Sequence, residues 1–223
     1  LRMRPARIPQ AALRAEEVNK AYQKVKDRLV FAAMFNTRFL PRWQAVKKLM
    51  EEQRIGKLMR VNWIITTWFR TAAYYRSSDW RATWKGEGGG VLINQCPHNL
   101  DMLQWLVGMP NRVTAVGGLG KYHDIEVEDN ITTYLEWKNG ATGVFISSTG
   151  EAPGTNRFEI CGTRGKIVLE NNKLSFTRND ADMVEFSKSS KSGFAKPEVW
   201  NVDIPFETAG NPHRSRVGKA RQP

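Results

Sequence analysis

The sequence predicts an α/β protein, of the α+β kind, built on a large open sheet that is mixed or antiparallel. Two observations support this fold class. From residue 112 onward, short segments rich in β-branched and aromatic residues alternate with turn signals, as in consecutive hairpins. Before residue 112, three segments repeat apolar side chains at helical spacing. Helices followed by a run of strands indicate a sheet that carries its helices on one face.

The N-terminal part of the chain predicts a helix and then a strand. Residues 11–26 are rich in Ala, Glu, Lys and Gln, which favour a helix. The apolar run at 29–35 follows directly and predicts a strand that is buried on both faces. A helix followed at once by such a strand is typical of the closing piece of an α/β unit.

The middle of the chain adds two helices and one long strand. A helix is predicted at 41–53, because the proline that opens it suits a first helical turn. Residues 58–70 predict a strand, and 71–90 a loop with aromatic anchors. The last predicted helix, 96–107, stops at a Gly-Met-Pro sequence.

The rest of the chain predicts strands that are joined by hairpins. Turn signals stand at 138–140, 162–165 and 170–172. Residues 187–196 are polar and rich in lysine, and predict an exposed loop. The predicted strands are 112–117, 129–137, 141–148, 155–161, 166–170, 173–177 and, with weaker patterns, 183–187 and 200–204.

The composition is that of an ordinary globular chain of 223 residues with a net charge of +12. Eight of the basic residues crowd the two ends, so the charge predicts solvated tails or arms that bind phosphate non-specifically. Aromatic residues do not alternate with these charges, which disfavours a nucleic-acid-binding protein.

Two cysteines form no metal-type pair or disulfide framework, and we expect a cytoplasmic protein. No apolar stretch reaches the length of a membrane span, so no membrane partner is expected.

The densest chemical segment is 88–101, which begins with three glycines. Glycine lets the backbone approach another group closely. The turn that follows places Asn94, Gln95 and His98 near a helix N-terminus, where free N–H groups suit anionic or developing oxyanionic groups. A histidine there can exchange a proton near neutral pH. The alternative is a structural loop with one histidine. Cys96 beside His98 is too small a ligand set for a metal site.

The segment resembles the signature of the Gfo/Idh/MocA oxidoreductases, which act with NAD or NADP on sugars, polyols and related compounds. Its neighbours resemble the family in the same order along the chain. The matching segments are the domain-joining segment 35–41, the turn 55–58, the acidic loop 124–129, and the hairpins 139–141 and 159–165.

The resemblance implies an N-terminal Rossmann domain followed by the sheet domain, and homo-oligomers that form through the sheet. It implies that His98 is catalytic, although Asn94 stands where the family often has aspartate and cannot carry a proton. The implied cofactor contacts are Asn36 and Arg38. The implied substrate contacts are Asn94, Gln95, Trp80, Arg81 and Trp84.

Two departures from the family pattern concern the cofactor. The chain contains no G-x-G-x-x-G turn, and Arg4 stands near the position of the family's Glu-Lys-Pro lysine, which an arginine cannot replace as an acid or base. We therefore expect residues 1–36 to be a remnant of the Rossmann domain, 37–208 the substrate and oligomerisation domain, and 209–223 a basic tail. Such a fragment, truncated or frame-shifted, would bind NAD(P) poorly and be inactive alone. The alternative is a non-catalytic binding or oligomerisation module derived from such an enzyme.

Overall fold

The computed structural model describes residues 10–204 and residue 206, and it confirms the open mixed sheet. Eight strands lie in the order β2-β3-β4-β1-β5-β6-β7-β8. β1 and β4 are parallel, and every other neighbouring pair is antiparallel. The strands are β1 (Leu58–Ile65), β2 (Arg112–Leu119), β3 (Glu128–Glu136), β4 (Thr142–Ser148), β5 (Asn156–Gly162), β6 (Gly165–Glu170), β7 (Lys173–Asn179) and β8 (Val199–Val202).

Six α-helices accompany the sheet in the described residues, with one 3-10 turn at Asn36–Phe39. Proline occupies the first turn of both α2 and α5, where its missing N–H costs nothing. No described helix is both long enough and apolar enough to cross a bilayer. The helices are α1 (Gln10–Gln23), α2 (Pro41–Glu51), α3 (Ala72–Tyr75), α4 (Val91–Asn94), α5 (Pro97–Val107) and α6 (Met183–Ser189).

The core lies between the sheet and the helices α2 and α5. Its centre is aromatic: Trp43 of α2 packs 5.3 Å from both Trp63 of β1 and Phe158 of β5, measured between ring centroids. Trp63 also packs 6.2 Å from Phe145 of β4. All four side chains are buried, so helix α2 is held over the middle of the sheet. This packing places the carboxyl end of β1 next to the start of α5.

The predicted strand at 29–35 is wrong. These residues pair with no strand in the described part of the chain. They are also exposed rather than buried, with Val30 93% and Met34 79% accessible. An apolar run indicates a tendency to be buried, but a strand forms only where a neighbouring strand forms backbone hydrogen bonds with it.

The predicted strand at 183–187 is also wrong, because these residues form helix α6. Asp182 caps the helix by accepting a hydrogen bond from the Val184 N–H at 3.0 Å. This cap outweighed the alternating pattern of the segment. Helix α6 also takes up the start of the loop predicted at 187–196. The strand predicted at 58–70 ends at residue 65, and the loop predicted at 71–90 contains the short helix α3. The predicted tails, 1–9 and 209–223, lie outside the described residues.

Candidate active site

The glycine run serves the packing of α4 against β3. A side chain at Gly90 would clash with the Glu128 backbone, so only glycine fits there. The Gly90 and Leu92 N–H groups donate to the Glu128 carboxylate at 2.9 and 3.1 Å. The close approach expected of the glycine backbone is therefore made at Gly90 to Glu128 of β3. The N–H groups expected to suit an oxyanion are those at the start of α5, and that expectation stays a prediction.

His98 lies in the first turn of α5, at the edge of a cavity of about 260 Å³ beyond the carboxyl end of β1. Its ring is exposed and meets Phe35 edge-on, with 5.7 Å between centroids. Neither ring nitrogen hydrogen-bonds a described residue, so both are available to a ligand. Gln95 and Trp68 also line the cavity, and the Trp68 indole N–H is buried without a partner.

Arg42 adds a positive charge to the same cavity, which the sequence analysis missed. It stands in the first turn of α2, and burial lowers the pKa of its guanidinium, which stays far above neutral pH for an arginine. Asn99 and Asn156 supply further amide groups to the lining. A histidine with free nitrogens among amides and one cation can accept a proton from a hydroxyl that the amides hold in place.

Behind the cavity, Asn94 is held in a network within the protein. Its side-chain oxygen accepts hydrogen bonds from the Tyr74 hydroxyl at 3.3 Å and from the Gln95 amide at 2.6 Å. Its amide donates to Glu87. Arg81 in turn donates to the Tyr74 hydroxyl at 2.8 Å. The structure thus brings together three predicted substrate residues, Asn94, Gln95 and Arg81, but only Gln95 of these lines the His98 cavity.

The two tryptophans predicted to contact substrate lie outside the His98 cavity. Trp80 is 50% exposed, and the Arg81 guanidinium carbon lies 4.6 Å from its ring centroid. Trp84 is 53% exposed, and its backbone N–H donates to Glu126 at 3.0 Å.

The two predicted cofactor residues lie in the 3-10 turn that precedes α2. Asn36 is exposed. Arg38 forms a two-bond ion pair with Asp101 of α5, at 2.8 and 2.5 Å, and this hydrogen bonding raises the pKa of Arg38. Its guanidinium also stacks 5.7 Å from the Trp105 ring centroid. Arg38 therefore holds the turn against α5, and neither residue lines the His98 cavity; their role toward a cofactor stays a prediction.

His123 lies in the loop between β2 and β3, and its side chain is buried. Its side chain is 8% exposed, and its ring nitrogens face Asp129 Oδ2 at 3.0 Å and the Arg70 carbonyl at 2.9 Å. Asp129 is fully buried and also accepts the backbone N–H groups of Lys121, Tyr122 and His123. A carboxylate at an inward-facing strand position was the signal that could have revealed this cluster.

Cys96 is a structural residue. Its thiol is buried, lies 3.2 Å from the Ser147 hydroxyl, and burial raises its pKa to about 11. No group of three metal-type side chains occurs in the described residues.

The fold is thus an open mixed sheet with helices on one face and a polar cavity with a histidine at the carboxyl end of β1. Residues 43–168 match the family model "GFO/IDH/MocA C-terminal domain". The chain therefore belongs to the GFO/IDH/MocA family.

Similar proteins include levoglucosan dehydrogenase of Pseudarthrobacter phenanthrenivorans, 29% identical over 80% of this chain and 51% of that protein. Inositol 2-dehydrogenase of Rhizobium meliloti is 27% identical over 72% of this chain and 48% of its own length. Among solved structures, the WlbA dehydrogenase of Bordetella pertussis in complex with NADH and UDP-GlcNAcA has a TM-score of 0.65 and 28% identity, over 70% of this chain and 47% of that one. The chain spans about half the length of these relatives.

Proposed function

We propose that this chain supplies the substrate cavity and the proton-transfer residue, His98, of an NAD(P)-dependent oxidoreductase that acts on a sugar, a polyol or a related compound. The observation that carries the proposal is the cavity itself: an exposed histidine with both nitrogens free, beside amide groups and a buried indole N–H without a partner. Relatives named as dehydrogenases of levoglucosan and inositol agree with a polyhydroxylated substrate.

The described residues do not fit the pyrophosphate of a dinucleotide. They include no strand, glycine turn and helix in succession, and the N–H groups at the start of α4 are taken by Glu128. Any cofactor would therefore have to bind mainly to a dinucleotide-binding domain that faces the cavity. A nicotinamide bound there would supply the hydride chemistry of the reaction.

In this proposal the chain's own residues hold the substrate and move its proton. Gln95 and the Trp68 indole bind substrate oxygens, and Asn94 fixes Gln95 from behind. His98 accepts the proton of the hydroxyl whose carbon is oxidised, and returns it in the reverse direction.

The test joins this chain to a dinucleotide-binding domain of the family. His98→Asn should lower turnover by about a hundredfold to ten-thousandfold and leave cofactor binding nearly unchanged, because only the proton acceptor is lost. Asn94→Ala, the comparison variant, should mainly raise KM. Normal turnover of His98→Asn would remove the catalytic assignment. The chain by itself should show no saturable heat with NAD or NADP, and a micromolar Kd for either would contradict the assignment of the cofactor to another domain.

We further propose that a second copy of this chain packs on the sheet face opposite the helices, in a cytoplasmic setting that keeps both cysteines reduced. Tyr134 and Val144 pair across β3 and β4 on that face, beside Ile146, and Val116 of the edge strand is 75% exposed. Apolar surface of this kind, with the exposed run at 29–34, favours association. Sedimentation over a range of concentrations should show dimers or larger species, and a monomer throughout would argue against this interface.

A further inference from the structure

Three buried side-chain nitrogen atoms in the described residues lack a hydrogen-bond partner, and all three lie between residues 68 and 81. They are the Trp68 indole nitrogen and the Nε atoms of Arg70 and Arg81. Each is a donor, and an unsatisfied buried donor costs about 1–3 kcal/mol, so native proteins rarely leave several together. A bound ligand with oxygen acceptors would satisfy such donors.

The two arginines surround one aromatic ring. Their guanidinium carbons lie 5.0 Å (Arg70) and 4.4 Å (Arg81) from the centroid of Tyr74. Neither guanidinium forms an ion pair with a described carboxylate, and each donates only one hydrogen bond: that of Arg70 to the Phe69 carbonyl, and that of Arg81 to the Tyr74 hydroxyl. No described carboxylate compensates either charge, so an anion bound beside them would interact favourably with both. Guanidinium groups match carboxylate and phosphate oxygens.

The neighbouring acidic groups indicate which side of the arginines an anion would occupy. Glu87 is engaged by the Ala82 N–H and the Asn94 amide. Arg81 also lines a cavity of about 280 Å³ together with Asp124 and Glu126, whose carboxylates would repel an anion there. The remaining side of Tyr74 is the one that contacts Asn94 and Gln95, and Gln95 opens into the His98 cavity.

We propose that Arg70 and Arg81, stacked on Tyr74, form a subsite for an anionic oxygen group of the substrate, so that the enzyme acts on sugar acids or sugar phosphates rather than neutral sugars. The inference rests on the proposed function, because the reacting carbon of that substrate would lie at His98. The Trp68 indole N–H, inside the His98 cavity, then binds a hydroxyl oxygen of the same molecule.

Calorimetric titration of the full chain tests the subsite at constant ionic strength. The probes are glucuronate, glucose 6-phosphate, neutral glucose and inorganic phosphate. At least one anionic sugar should bind about tenfold or more tightly than glucose, as expected for a charge-assisted hydrogen bond. Arg81→Gln should abolish that preference, and Arg70→Gln should weaken it.

Arg178→Gln is the matched control. Arg178 also stacks on an aromatic ring, 5.5 Å from Trp200, but at the far edge of the sheet. The substitution Arg178→Gln therefore removes the same charge and the same kind of contact as Arg81→Gln, and the preference for anionic sugars should survive. An equal loss in Arg178→Gln would overturn the proposal, because the preference would then come from the net charge of +12.

Other outcomes separate this proposal from the proposed function. Equal binding of glucuronate, glucose 6-phosphate and glucose would overturn the subsite and leave the His98 cavity supported as a sugar site. Binding of inorganic phosphate as tight as that of the sugars would indicate an adventitious anion site, and would overturn the subsite too. No binding of any probe would overturn it, while turnover of His98→Asn in the joined enzyme would still test the proposed function independently. If circular dichroism shows that Arg81→Gln is unfolded, Arg81→Lys replaces it: loss of the paired hydrogen bonds should reduce the preference, and an unchanged preference would overturn the proposal.

Discussion

The substitution Asp129→Asn should destabilise the protein far more than its small chemical change suggests. Asp129 is fully buried at the start of β3. One carboxylate oxygen accepts the Tyr122 N–H at 2.7 Å, the His123 N–H at 3.0 Å and the His123 ring nitrogen at 3.0 Å. The other accepts the Lys121 N–H at 2.9 Å. The loop between β2 and β3 is folded around this single side chain.

The expected cost follows from these four bonds. An asparagine must turn its NH2 group toward one set of donors, so at least one buried N–H loses its acceptor, which costs about 1–3 kcal/mol. The bonds that remain are no longer assisted by charge, and each weakens by about 1 kcal/mol. We therefore expect a loss of about 4–6 kcal/mol in the free energy of unfolding, or a fall in Tm of about 10 °C or more.

Urea unfolding followed by circular dichroism measures this loss. Asp124→Asn is the matched control, because it makes the same change in the same loop at an exposed position. The control should change stability by less than about 0.5 kcal/mol. If the two variants were equally stable, the reasoning from buried hydrogen bonds would be refuted.

Three further predictions follow from other parts of the structure. His123→Asn should cost about 2 kcal/mol in urea unfolding, because it leaves buried acceptors without their donor; a change within error would show that the ring bonds are not formed. Burial opposes the ionisation of Glu159, but hydrogen bonds from two arginines outweigh it and lower its pKa. The ionised Glu159 therefore stabilises the fold fully above the ordinary glutamate pKa of about 4.3, and this contribution is lost as the pH falls through the lower pKa of the folded state. In Glu159→Gln, the free energy of unfolding should depend less on pH below pH 4. At pH 8 the native protein should expose one reactive thiol, Cys161, since Cys96 is buried and protonated; in urea both should react, and two fast thiols in the native state would contradict the burial of Cys96.

The strand pattern and the position of the histidine turn could be predicted from the sequence. Alternating apolar residues and hairpin turns predict β3, β4 and β6 to within a residue or two. A sheet with one buried face requires an apolar side chain at every second position of a strand, and this alternation is visible in the sequence. The proline that opens α5 and the glycines before α4 likewise placed His98 in a first helical turn. These features depend on residues close in sequence, so local patterns carry them.

The tertiary structure alone decided which polar groups meet. It joined Tyr74 to Arg81 and Asn94, and His123 to Asp129 and Arg70. It also placed the Glu128 carboxylate on the N–H groups of Gly90 and Leu92. It also left the apolar run at 29–35 without a strand partner in the described residues. The partners in Tyr74–Asn94, Gly90–Glu128 and His123–Arg70 lie 20, 38 and 53 residues apart in the sequence. A charge or a hydroxyl in the sequence gives no indication of its partner, because that partner is selected by how the strands and helices pack.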